Sequence, residues 1–185
     1  MKFVVALVLS TFAFSALAQK HMVNFDLGEV YGALTWSKSK EKGESVNEDR
    51  TRVLSVNYAY TLLPYLQVGG KVNYGINSAS DSSSEDYGFQ VGAIYNHGAD
   101  IRSSYYASLY LGMQWDNNYG SFHSHGEEVS TTVAVGKRFP LSFVNLENVV
   151  YSPEISWNQT TPTKSSDIQW EQDLSIKFLN FSVFF

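Results

Sequence analysis

Between Tyr105 and Trp115 the chain alternates without a fault. Tyr105, Ala107, Leu109, Leu111, Met113 and Trp115 fall at one parity, and Tyr106, Ser108, Tyr110, Gly112 and Gln114 at the other. Side chains two residues apart share one face of an extended strand, so this stretch is a strand with an apolar face and a polar, tyrosine-bearing one. An apolar face of that length needs a covering, either a core or lipid, because left in water it would pair with other chains.

The same period recurs along the chain. Leu54, Val56, Tyr58 and Tyr60 oppose Val53, Ser55, Asn57 and Ala59, and after the turn at Thr61-Leu62-Leu63-Pro64, Leu66, Val68, Gly70, Val72 and Tyr74 oppose Gln67, Gly69, Lys71 and Asn73. Tyr87 to Tyr95, Val129 to Val135 and Val149 to Trp157 repeat it. A first segment, about Asn24 to Trp36, shows it from Val30 onward, while Phe25 and Leu27 break the parity and call for a bulge or a periplasmic lead-in. Pro153 lacks a ladder donor and predicts a second irregularity. Polar runs at Ser37 to Arg50, Ile76 to Asp86, Asp116 to Glu128 and Gln159 to Asp167 alternate with short turns. The pattern predicts an all-β fold of about eight antiparallel strands, running up and down, with both termini at one end.

Period two alone cannot separate a membrane barrel from a soluble lipocalin-like barrel or sandwich. The polar face does so: it carries Gly, Ser, Asn, Gln and Tyr with few charges, which suits a narrow polar interior better than a solvated surface. Aromatic residues make up 15% of the chain, yet its mean hydropathy is -0.18, as expected of a barrel that is greasy outside and polar within. Trp36, Trp115 and Trp157 sit at strand ends beside long polar runs, Trp170 where the last strand begins, and Tyr74 and Tyr87 likewise. These six predict one interfacial aromatic girdle, and Tyr58, Tyr60, Tyr95, Phe139 and Phe185 the opposite one.

Residues 1–18 read as a cleaved export signal: basic Met1-Lys2, an apolar run from Phe3 to Phe14, and small residues at Ala16-Leu17-Ala18. The barrel domain is then 19–185. Lack of Cys excludes disulfides, a lipidated Cys and thiol-metal chemistry. The chain has 13 basic and 18 acidic residues; losing Lys2 with the signal leaves 12 against 18, a net of -6, which disfavours nucleic acid as a partner.

The terminal stretch places Leu179, Phe181, Val183 and Phe185 at one parity and Asn180 and Ser182 at the other, with Phe184 the exception. It resembles the assembly signal of bacterial outer-membrane barrels, a terminal Phe behind alternating apolar residues. With the export signal, strand pattern and loop alternation, the chain from about Asn24 to Phe185 resembles the small eight-stranded barrels typified by OmpX and the transmembrane domain of OmpA. That resemblance implies the outer membrane as location, its lipid and lipopolysaccharide as surroundings, and the barrel-assembly machinery as a transient partner. A monomer without a cofactor is expected, and no periplasmic peptidoglycan-binding domain, since the chain ends on the barrel. Leu174, Ile176 and Phe178 run out of phase with Leu179, Phe181 and Val183, so a bulge is expected near Phe178-Leu179, and the facing of Lys177 stays open.

Such a fold hosts passive barrels, adhesins, narrow pores and lipid-modifying enzymes, so function has to be read from sites. Inward positions Glu29, Lys71 and Glu154 come to similar heights, and pairing Lys71 with one or both carboxylates is the cheap arrangement in a narrow interior. With Gln67, Asn73, Gln90, Tyr106, Tyr110 and Asn158 they are expected to plug the lumen. His123, Ser124, His125, Glu127 and Glu128 are the one cluster with potential chemistry, a metal site or a hydrolase pair. The His-x-Ser spacing of outer-membrane lipid A deacylases is absent, and solvated histidines in a Gly-flanked loop are the plainer reading. The expectation is a non-enzymatic barrel acting through its outer loops; a narrow pore comes second and a lipid-modifying enzyme third.

Overall fold

Strand pairing in the computed structural model follows the alternation, and it describes residues 20–26, 33–41, 51–78, 83–118, 124–163 and 168–185. Four passes are continuous: β3 (Thr51–Leu63), β4 (Leu66–Ser78), β5 (Ser83–His97) and β6 (Tyr105–Asn118). The other four are each described in two pieces. These are β1 (His21–Asp26) with β2 (Ala33–Glu41), and β7 (Ser124–Lys137) with β8 (Phe139–Leu141). They continue with β9 (Leu146–Tyr151) and β10 (Glu154–Pro162), then β11 (Ile168–Lys177) and β12 (Asn180–Phe184). Twelve strands therefore trace eight antiparallel passes in one sheet. The sheet closes on itself, because β1 pairs with β3 on one side and β12 on the other while β2 pairs with β11. At the closing edge His21 and Phe185 exchange backbone N–H···O bonds, each 2.9 Å.

Facing follows sequence parity. Leu54, Val72, Phe89, Leu109, Leu111, Val133 and Ile155 are exposed on the outside, whereas Ser55, Gln90, Ser108, Tyr110, Ser130, Thr132 and Ser156 are buried inside. The strands outrun the apolar pattern at the upper end. β4 continues to Ser78, β5 starts at Ser83, β6 ends at Asn118 and β7 begins at Ser124, all within runs that read as loops. Hydrophobic period reports where a strand stops facing an apolar medium; backbone pairing continues past that height between polar residues.

Inside, glycines let side chains from adjacent strands lean across. A Cβ on Gly92 would lie 2.1 Å from the Leu109 carbonyl oxygen and 2.7 Å from the Tyr110 ring, and one on Gly136 would lie 2.5 Å from the ring of Tyr106. Each glycine is the registered partner of the tyrosine above it, so β6 fills the lumen with rings that only a missing Cβ can accommodate.

The interruptions line up. Gly136, Glu154 and Lys177 are cross-strand partners on β7, β10 and β11, and Phe139, Tyr151 and Phe181 are partners on β8, β9 and β12. Arg138, Ser152-Pro153 and Phe178-Leu179 lie between these two rows, forming a seam across three adjacent passes. The last of these is the expected bulge, with Phe178 and Leu179 both turned outward. Below the seam, β8, β9 and β12 make a small three-stranded sheet.

Lower connections are short. Two contain a single 3-10 turn, Ile101–Ser103, where Asp100 accepts from the Arg102 backbone N–H at 2.9 Å, and Ser142–Val144, closed by Asn145 at φ 60.

Candidate functional site

The interior is built in three layers, and the inward positions of the strands determine each. In the upper layer Gln90 of β5 donates to Ser130 (2.7 Å) and Thr132 (3.0 Å) of β7, and Thr132 donates to Asn158 of β10 (2.9 Å). Asn57 of β3 donates to the Tyr110 hydroxyl across the lumen at 2.7 Å, and Ser55 donates to Asn73 at 3.0 Å. These amides and hydroxyls take much of the place of the water that a wider barrel would hold, although Asn57 Oδ1 is buried without a hydrogen-bond partner among the described residues.

The middle layer holds the charges. Lys177 Nζ lies 2.5 Å from Asp26 Oδ2 and 3.8 Å from Glu154 Oε1, and Tyr106 donates its hydroxyl to Glu154 at 3.0 Å. Asp26 ends β1, Lys177 ends β11 and Glu154 begins β10, so the charges cluster where the ladder breaks. One extra residue in a strand re-aims the side chains beside it. Here the insertion falls after Lys177, at Phe178-Leu179, so Lys177 keeps the inward parity of Ser175 and is only 2% exposed. Lys177, whose facing the sequence left open, is thus one cation set against Glu154, and Lys71 lines the same cavity. Glu29 lies outside the described residues.

The lowest layer is a plug that sequence reading missed. Arg138, to which the alternation gives no facing, is the seam residue between β7 and β8 and is 2% exposed. Its guanidinium donates to Asn96, to Gln67 (3.1 Å) and to the Ile101 carbonyl (3.0 Å). It also stacks on Tyr106 (4.7 Å) and Phe184 (5.3 Å). Met22, Ala59, Ile94, Val150 and Phe184 surround it as an apolar cluster. This adds an apolar base to the narrow polar interior that the alternation predicts. Past the bulge the parity of the last pass shifts, and Phe184, the odd residue of the terminal stretch, is the one that fills the base. A Lys-Arg-Phe-Pro run carries no pattern that distinguishes a buried Arg from a solvated turn; the only available signal was the unmatched Phe184.

The remaining expected residues are scattered. Tyr74, Tyr87 and Trp115 are cross-strand partners on β4, β5 and β6, with the Tyr87 and Trp115 rings stacked at 5.7 Å. Trp157 and Trp170 are half-buried on β10 and β11, and the side chain of Trp36 lies outside the described residues. At the lower rim His21 stacks on Phe185 at 5.7 Å and bonds the Tyr58 hydroxyl at 2.7 Å, and Tyr151 packs on Phe181 at 5.7 Å. Leu179 is exposed, whereas Val183 of the same parity is buried. Glu127 is exposed near the upper end of β7, opposite Trp115. His123 and the side chain of His125 fall outside the described residues.

The architecture is that of the small outer-membrane β-barrel proteins. The structure of Neisserial surface protein A superposes with a TM-score of 0.57 over 89% of this chain and 97% of that one, at 16% sequence identity. Ail, the attachment invasion locus protein of Yersinia pestis, gives 0.55 over 90% and 99%, at 14% identity. A second Ail structure, in complex with the heparin analogue sucrose octasulfate, gives 0.53 over 90% and 98%, also at 14% identity. No protein-family model and no curated protein matches the sequence.

Proposed function

We propose that the protein is a non-enzymatic integral outer-membrane barrel with a closed lumen, whose upper loops serve surface interaction or envelope structure. The observation that carries this reading is the inversion of polarity across one sheet, with exposed aliphatic and aromatic side chains outside and a bonded polar and ionic filling within. A contiguous apolar band around a closed barrel suits lipid, not water. Purified protein refolded into micelles is expected to run as a compact band that shifts on boiling and to give no stable conductance in planar bilayers. Reproducible channels from the monomer would replace the closed-lumen reading with the narrow-pore one, for which the charged cavity beneath Asn57 and Tyr110 is the supporting feature.

Charge narrows the loop ligand. The polar runs 37–50, 76–86, 116–128 and 159–167 together carry 5 Lys and Arg against 11 Asp and Glu. A polyanion such as the heparin analogue bound by Ail is repelled by that excess, so the surface ligand is neutral or cationic. The folded protein should pass unretained through heparin resin at physiological salt; retention would overturn this part of the reading.

A further inference from the structure

We infer that β8, β9 and β12 act as a lid on the lower mouth of the barrel, hinged at the seam and pinned by Arg138. This goes beyond the closed-barrel reading, which requires only that the mouth be filled.

The β5–β6 ladder runs unbroken from Ser84↔Asn118 to His97↔Tyr105. Below the seam the ladders are short. β8 pairs with β9 from Phe139↔Tyr151 to Leu141↔Leu146, and β9 with β12 over Phe181↔Tyr151 to Val183↔Val149. The lid continues upward through the chain at Arg138, at Ser152-Pro153 and at Phe178-Leu179, where the strands are interrupted and the backbone bonds that cross are those from Ser152 to Asn180 (2.8 Å) and from Lys137 to Pro153 (3.3 Å). Pro153 has no N–H to contribute. Segments with few ladder bonds open first in a native protein.

The lid meets the body along two edges. One is the β12–β1 ladder, Met22↔Phe184 to Asp26↔Asn180, with Asn24 donating to Asn180 (2.7 Å) and Ser182 (3.0 Å). At the other edge, Arg138 donates its backbone N–H to Ser104 (3.0 Å) and Arg102 reaches the Glu147 carbonyl (3.4 Å). Between these edges the Arg138 guanidinium joins body residues Gln67, Asn96 and Tyr106 to Phe184 of the lid. Behind the lid lies the charged cavity, lined from below by Arg138 and Ser182 and from the body by Asp26, Lys71 and Glu154. Parting the β12–β1 edge opens that cavity downward and leaves the β3 to β6 wall intact.

The test is hydrogen exchange read by mass spectrometry on the full-length barrel folded in micelles. Peptides covering 139–151 and 180–185 are expected to exchange together, about tenfold or more faster than those of β6. Val23 and Val183 are registered partners across the parting edge, and the natural chain has no Cys. A Val23→Cys/Val183→Cys pair, once oxidised, should slow the lid peptides to the rate of β6, and reductant should restore the fast exchange. Arg138→Met should speed exchange in the lid alone. The inference fails if wild-type lid peptides exchange no faster than β6, if oxidation leaves them fast, or if Arg138→Met speeds every strand equally. The wild-type and disulfide results decide the matter even if Arg138→Met does not fold.

Discussion

A lysine with its ammonium inside a narrow barrel is tolerable because two carboxylates face it. Breaking a buried ion pair by removing one partner costs about 3 to 5 kcal/mol, far more than the pair contributes when intact. Lys177→Met takes the ammonium away from Asp26 and Glu154 and should lower stability in micelles by about that amount, measured by urea unfolding. Adding Asp26→Asn should recover part of the loss. On the outer face the arithmetic differs: Leu109→Arg puts a charge on the exposed side of β6 and should cost about 2 to 4 kcal/mol in the same assay, because lipid or detergent solvates it poorly. Leu109 was legible from sequence, being one beat in an unbroken rhythm. Lys177 was not, since a single inserted residue reverses the facing of its neighbours and alternation does not reveal where the insertion falls. Arg138 was hidden for a related reason: its burial depends on a seam formed by three strands that are distant in sequence.

Strands are where the sequence spoke most clearly, and where small residues set tolerances. On β6, a Cβ at Gly112 would lie 2.0 Å from the Phe89 carbonyl oxygen, so Gly112→Val must push β5 and β6 apart. A loss of about 1 to 3 kcal/mol is expected from such overpacking, again by unfolding in micelles. The terminal strand makes a different demand. Phe185 is held by its backbone exchange with His21 and by the stacked imidazole, but a charge near the lower interface costs only about 0 to 1 kcal/mol. Phe185→Asp should therefore refold from urea into micelles. If the terminal Phe is what the assembly machinery reads, the same variant should fail to insert in cells; normal, heat-modifiable insertion would show it to be ordinary strand sequence. Strand ends were less legible, because polar residues continue a ladder without leaving a hydrophobic trace.

For the molecule as a whole, closure of eight passes could be read from the count, the parity and the loop alternation, while the content of the lumen base could not. That interior has a thermal consequence. In a soluble domain, unfolding wets a large apolar core, and the heat capacity rises by about 12 to 15 cal/mol/K per residue. On heating in micelles without urea the outer apolar band keeps its detergent cover, whereas urea draws the chain into water. What meets water on thermal opening is mainly amide, hydroxyl and carboxylate, whose hydration pulls the heat capacity down. Calorimetry in micelles should give an increment per residue well under the soluble value. The resulting free-energy curve is shallow, so this barrel should hold nearly constant stability from cold to warm water, over a range in which proteins built around oil pass through a clear maximum.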